Sequence, residues 1–440
     1  MKLHIINVIT ILLISLIFSC SQKTQEINIP QVVTKDIQKG IEKHIYSHYK
    51  KGKGFFNFKS GTKQYSFKLV RIHTEYLANL GPRAHFACVD LVDKKGDVYD
   101  VDFFLSGDPG KMKVTKTILH KLNGKPYYFW KQNSDKTWSR VKIKDASKSL
   151  MGIITGKDTF EFSYQAKLPV IKTKGKVWLP LAKSDKFQKI TIKKISTPVK
   201  YKIINEKKFN NKILYLEVSP QDSNKIISIV YKVIRKEKSA YSSGKEDMKK
   251  YLKADKLIPL NKNFKTIALK VTKNKKGNLV KARALYDHIM KEMKYIKTGK
   301  DYGKGNATYA CDIGTGNCTD YHSYFIALAR SVGIPARFAI GASIPSSRNI
   351  GGISGYHCWA EFQADGKWWP VDISEADKYS SLSTYYFGHH PANRIEFTLG
   401  RDLIVKPGPK AGPINFMVYP ILEVEGFSIV FKPKFSFKRI

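Results

Sequence analysis

The chain has 440 residues, 42% hydrophobic, 12% aromatic and 26% charged, a composition that excludes wholesale disorder and collagen-like repetition. At roughly 100–200 residues per domain, this length gives two to four domains, each able to bury a core. The formal net charge is +41, and of the 77 basic residues 66 are lysine and only 11 arginine. Specific nucleic-acid readers lean on the planar fork of arginine, so no specific nucleic-acid partner is expected. The lysine excess is either a plain solvated surface or a means of non-specific attraction to anionic lipid or an acidic envelope polymer.

Lys2 and His4 precede an apolar stretch from Ile5 to Phe18, followed by Ser19 and Cys20. This is the pattern of a secretory signal and is too short for a membrane span, which needs about 20 apolar residues. The Ile17-Phe18-Ser19-Cys20 run resembles a bacterial lipobox, which implies acylation of Cys20 and a lipid anchor holding an exported protein at the cell envelope. A plain signal peptide with an incidental cysteine is the alternative. Residues 1–20 are therefore read as the signal and 21–33 as a polar tether.

Asp36 to Tyr49 carries Ile37, Ile41, Ile45 and Tyr49 at helical spacing. Strand-like runs follow at Gln64–Leu77, Ala84–Val92, Val98–Leu105, Lys113–His120 and Lys125–Trp130. Residues 34–150 thus read as an N-terminal α+β domain with a cystatin-like meander. Its polar residues His73, Glu75, His85 and Asp90 are expected to face solvent, and Cys88 to be a small buried hydrophobe or a free thiol. A second strand-rich block at 158–238 has the rhythm of a β-sandwich, with runs at Lys174–Leu181, Lys189–Ile195, Tyr201–Ile204, Lys212–Val218 and Lys225–Val233. Ser239–Gly244 reads as a linker.

From Lys245 the periodicity becomes helical, with Ala282–Met293 amphipathic and Cys318–Ser331 strongly helical up to the stop at Gly333 and Pro335. Ala336–Ala342, Tyr356–Phe362 and Trp368–Ile373 then read as strands, so 245–402 forms an α+β core and 403–440 a C-terminal β extension.

Cys318 opens a helix, His357 lies in the strand YHCWAEF, and Asp372 follows in KWWPVDIS. A thiol nucleophile needs these three types. A helix N-terminus and an adjacent imidazolium lower the thiol pKa, and the imidazole then returns the proton to the leaving group. A carboxylate behind the imidazole fixes its tautomer. Taken singly, each residue is equally at home in a core, on a strand or at a turn; jointly, and in this order, they point to chemistry.

The segments GNCTDYHSYFIALARSVGIPARFAIG, GYHCWAEF and WWPVDISEA resemble the transglutaminase-like superfamily of papain-type thiol enzymes, most strongly over about 245–402, where YYFG and FTLGRDL also fit. VWLPL in the preceding β block is similar to the sandwich that often precedes this core. The resemblance implies Cys318 as nucleophile, His357 as general base and acid, Asp372 as orienting carboxylate, and no cofactor. It implies action on peptide or isopeptide amide bonds through an acyl-enzyme, with hydrolysis favoured over cross-linking and a protein or peptide as substrate. The rival expectation is an idle scaffold that keeps the fold and binds a partner.

Around the three residues, Asp320 is expected to cap the helix, His322 either to support the site or to pack, Trp359 either to wall the imidazole or to pack, and Cys358 to be buried filler pointing away from His357. A disulfide from Cys311 to Cys358 or Cys88 is left open. A zinc site built from Cys311, Cys318, His322, His357 and Cys358 has the right residue types, but its spacing fits no structural zinc pattern, and no metal is expected. Ser343–Gly355 is expected to be a gating loop.

Overall fold

The computed structural model describes residues 32–60, 62–73, 78–81, 83–132, 138–142, 153–297, 299–346, 348–378 and 383–440. The expected signal with Cys20 and most of the expected tether lie outside the described residues, as does Glu75. The described residues are mostly β, with six α-helices and several antiparallel sheets. Among the described residues, no helix is long and apolar enough to cross a membrane.

Helix α1 (Thr34–Lys51) buries Ile37, Ile41 and Ile45 on one face, the i, i+4 stripe of its sequence. They pack on Phe67, Val89, Val101 and Phe103 of an antiparallel sheet ordered Phe56–Ser60, Lys63–Ile72, Ala84–Asp93, Val98–Ser106, Lys113–Leu122, Lys125–Pro126. The expectation that His73, His85 and Asp90 face solvent is wrong: all three are buried. The other face of this sheet rests on the core domain, so polar side chains there are paired across an interface. Asp90 accepts from His73 Nε2 at 2.7 Å and lies 2.5 Å from Arg283 Nη1.

Two five-stranded sheets follow. One is ordered Gln188–Ser196, Ile226–Lys236, Lys157–Lys167, Lys434–Arg439, Ile350–Ile353. The other runs Tyr201–Asn205, Lys212–Val218, Gly175–Leu181, Ile421–Val424, Phe427–Val430. Their inward residues, among them Phe160, Phe162, Val177, Leu179, Ile229 and Tyr231, share one core. Strands from the last forty or so residues therefore complete both sheets. Part of the expected gating loop, Ile350–Ile353, is itself a strand paired with Lys434–Arg439.

The third region centres on α5 (Cys318–Ser331), in which every residue from Cys318 to Arg330 is buried. Around it lie α2 (Lys262–Val271), α3 (Asn278–Glu292), α4 (Ala307–Ile313) and α6 (Ile373–Lys378). A sheet ordered Tyr241–Ser242, Lys367–Val371, His357–Ala364, Ala336–Ser343, Arg394–Leu399 packs against α5. The expected linker is thus partly a strand, with Tyr241 paired to Trp368. The turn GIPAR is fixed by Arg330, which donates through Nε and Nη2 to the Ala336 carbonyl at 3.1 and 2.9 Å and through Nη1 to Asp255 at 2.7 Å.

Candidate active site

The start of α5 is built by a reciprocal cap. Asn317 Oδ1 accepts from the Thr319 N–H at 2.8 Å, and Asp320 Oδ2 accepts from the Asn317 N–H at 3.0 Å. Asp320 also accepts from the N–H groups of Gly303 and Gly305 at 2.7 and 3.1 Å, tying the preceding loop to the helix. Burial pushes its carboxyl up and these backbone donors pull it down, with a net rise. Gly316 has to be small here, since a Cβ would stand 2.5 Å from that of Asp320. The expected capping role of Asp320 is what the geometry shows.

His357 is the first residue of its strand, opposite Gly341. Its Nε2 lies 2.6 Å from Asp372 Oδ2. Asp372 stands one residue beyond Lys367–Val371 rather than within it, and caps α6 by accepting from the Glu375 N–H and Ser374 Oγ through Oδ1, both at 3.2 Å. With Nε2 engaged, Nδ1 is the ring nitrogen left for the sulfur, and His357 and Cys358 are both near enough to the Cys318 thiol to lower its pKa. The structure therefore brings Cys318, His357 and Asp372 together.

The electrostatics favour separated charge. Burial pushes the Cys318 thiol up, but hydrogen bonds from Cys358 and His357 and the imidazolium charge outweigh it and hold the thiol well below its ordinary value. Burial opposes charge on His357, yet the Asp372 carboxylate raises the imidazole to about 9. Asp372 in turn is held well below the carboxylate range despite burial, chiefly by the His357 charge. Both shifts favour the thiolate–imidazolium pair over the neutral one.

Cys358 is not mere filler. Its Sγ sits on the α5 side, 3.7 Å from Thr319 Oγ1 and 3.8 Å from His322 Nδ1, and it lowers the pKa of the Cys318 thiol. Burial and the nearby Cys318 sulfur push its own thiol well up, and its S–H donates to Thr319 Oγ1. Cys88, Cys311, Cys318 and Cys358 are all free, so the disulfide left open from Cys311 is not formed.

His322 takes the supporting role. Its Nδ1 lies 2.6 Å from the Cys318 carbonyl, and its Nε2 accepts from the Ile373 N–H at 3.0 Å. Only the neutral ring protonated at Nδ1 satisfies both contacts, and burial lowers its pKa accordingly. One imidazole thus ties the turn bearing Cys318 to the turn bearing Asp372. Trp359 lies 6.3 Å from the His357 ring but 4.2 Å from His390, so it packs mainly on the latter. His390 Nε2 and Arg394 Nη2 each stand 3.9 Å from Asp372 Oδ2. Sequence reasoning missed both; the His389-His390 pair beside YYFG was the available signal.

Tyr356, next to His357, was missed as well. Its hydroxyl accepts from Asn317 Nδ2 at 3.0 Å and lies 3.0 Å from Thr319 Oγ1. With Tyr295, Tyr302, Asn317 and Tyr419 it walls an open cleft of about 430 Å³ onto which Cys318 gives. Among the described residues, the group compact enough to hold a metal ion is Cys88, Asp102 and His120 in the N-terminal sheet, not the set around Cys318.

Residues 265–373, which include all three positions, match the sequence model of the transglutaminase-like superfamily. The chain carries a transglutaminase-like domain. Beyond this domain the likenesses are thinner. A curated "Uncharacterized protein" of Haemophilus influenzae (strain ATCC 51907 / DSM 11121 / KW20 / Rd) is 31% identical over 213 residues, covering 41% of this chain and 58% of that protein. The chain thus spans little more than half the length of the curated relative it matches. A solved structure of a proposed cysteine protease from Cytophaga hutchinsonii is 15% identical, with a TM-score of 0.45 over 65% of this chain and 91% of that one. The periplasmic domain of TgpA from Pseudomonas aeruginosa is 12% identical, with a TM-score of 0.31 over 59% and 86%.

Proposed function

We propose that this protein is a thiol enzyme that cleaves peptide or isopeptide amide bonds through an acyl-enzyme on Cys318, with His357 as acid and base and Asp372 as its orienting carboxylate. The observation that carries this reading is that Cys318, at the start of α5 and on an open cleft, is held low by the neighbouring His357, whose Nε2 lies 2.6 Å from Asp372 Oδ2. The Cys318 thiolate attacks the amide carbonyl carbon. The oxyanion forms beside the start of α5, where the Cys318 N–H has no partner among the described residues. His357 Nδ1–H gives its proton to the departing amine, leaving a thioester. The neutral imidazole then takes a proton from water, which attacks the thioester and releases the carboxylic acid and the thiolate. An amine in place of water turns the same intermediate to cross-linking. Hydrolysis needs no second substrate site and is the outcome proposed.

The lipobox-like run ending at Cys20 supports an exported protein held by acyl chains at the envelope, with the lysine-rich surface available to acidic polymer. Mass spectrometry of envelope proteins incubated with the full chain and a labelled primary amine tests the chemistry. New termini indicate hydrolysis and incorporated label indicates acyl transfer. If both are lacking, or persist in Cys318→Ala, the enzyme reading fails. Iodoacetamide at mildly acidic pH labels Cys318 far faster than Cys88 if the thiolate exists.

A further inference from the structure

Behind Tyr356, next to the cleft, lies a second cavity of about 450 Å³, a volume within the range of ligand pockets. The two share Gly303, Lys304, Tyr356 and Tyr419 as walls, so the cavity adjoins the cleft that Cys318 lines. Most of the remaining wall comes from the C-terminal segment, with Pro413, Phe416, Val418 and Val430 presenting carbon to it. That segment belongs to the strands completing the two-sheet region, and Phe427–Val430 is the outermost strand of its sheet. Its apolar residues are unusually bare: Phe427 is 80% and Val430 65% exposed. Bare apolar side chains on an unpaired edge mark a binding surface, and such an edge accepts an extended chain by main-chain pairing.

The rim fixes the sign of the occupant. Lys297 and Lys432 border the cleft, both exposed and without a carboxylate partner among the described residues, whereas Lys304 is tied to Asp301 at 2.5 Å. In a chain of net charge +41, that mouth attracts carboxylates and repels basic peptides.

We infer that the C-terminal segment builds the subsite that selects the acyl donor: an extended acidic peptide whose large apolar side chain, beside the reacting amide, fills the cavity behind Tyr356 while a carboxylate meets Lys297 and Lys432. The inference rests on the reading of Cys318 as nucleophile for its register, but binding tests it separately from turnover.

The test uses the full chain carrying Cys318→Ala and fluorescein-labelled peptide amides that bear one Glu and either Phe, Ala or Lys beside the amide, with affinity read by anisotropy. The Phe peptide binds about tenfold or more tighter than the Ala peptide, as expected when an apolar pocket gains a ring. Val430→Asp, at an exposed position that leaves the fold intact, removes that preference. Lys432→Glu weakens the Glu-bearing peptides about tenfold at low salt and leaves Gln-substituted counterparts unchanged. Equal binding of Phe and Ala peptides, or a preference that survives Val430→Asp, overturns the subsite. Turnover of the same peptides by the parental chain with no Phe preference also overturns it while leaving the thiol enzyme standing. Preferential binding with no turnover upholds the subsite and removes the enzyme reading instead.

Discussion

The charge state of one imidazole governs what Cys318 can do. Its pKa is raised to about 9 because the Asp372 carboxylate stabilises the imidazolium against the cost of burial. The reactive form is thiolate with imidazolium, so kcat/KM falls as pH rises through about 9 and the proton needed by the leaving amine is lost. Asp372→Asn removes the stabilising charge, which moves that alkaline limb to lower pH and drops kcat by roughly 10³–10⁴-fold, as in triads that lose their carboxylate. A pH–rate profile of the two proteins checks both effects, and an unmoved alkaline limb would detach Asp372 from His357. Cys358 makes a subtler contribution. Cys358 helps to hold the Cys318 thiol down, so Cys358→Ala raises the Cys318 pKa and slows its iodoacetamide labelling several-fold at mildly acidic pH. The rate at high pH, where Cys318 is ionised in either protein, stays as it was.

At the scale of elements, α5 is where sequence and structure agree best. Asn317, Asp320, a run free of Gly and Pro and the Gly333 stop are local signals, and helix bounds follow from local signals. The strand carrying His357 was equally plain, because alternation and flanking glycines are local too. What local pattern does not contain is which face a strand turns to which neighbour. Cys358 looked inert for that reason, since its position under α5 depends on α5 packing against that strand. The brace made by His322 was only half visible, its helix face being legible and its bond to Ile373 not. The cap now has a measurable value. Asn317→Ala loses the Thr319 N–H acceptor and costs about 1 kcal/mol of stability, read as a shift in the urea midpoint at constant slope. It also frees the Tyr356 hydroxyl from its donor, so the loss of kcat/KM exceeds what the stability change explains. A midpoint shift with unaltered kinetics would confine Asn317 to capping.

Across the whole molecule, the features hidden in the sequence are those made by segments far apart in the chain. The strand rhythm within 158–238 was visible, but strands supplied by Ile350–Ile353 and by residues 421–439 were not, because pairing partners leave no mark in a strand's own alternation. The N-terminal sheet shows the same limit in its charges. Asp90 looked like a surface carboxylate, yet it is fully buried, with Arg283 of α3 at 2.5 Å, His73 at 2.7 Å and Thr384 Oγ1 donating at 3.1 Å. Burial opposes its charge, and the Arg283, His73 and Arg71 charges overcome that and keep it ionised. Together with the 3.1 Å pair between Arg71 and Asp287, this locks the first sheet to the helix that packs beside α5. Removing one member of such a pair strands a charge in low dielectric, whereas removing both does not. Arg283→Met is therefore expected to cost about 3–5 kcal/mol, toward the lower end because His73 and Thr384 still hold Asp90. Asp90→Asn on the same background should return most of that loss, since the amide has no charge to neutralise. Chemical denaturation of the parent, both single variants and the double gives the coupling directly. If the double variant is as unstable as the sum of the singles, the pair is not what joins the two regions.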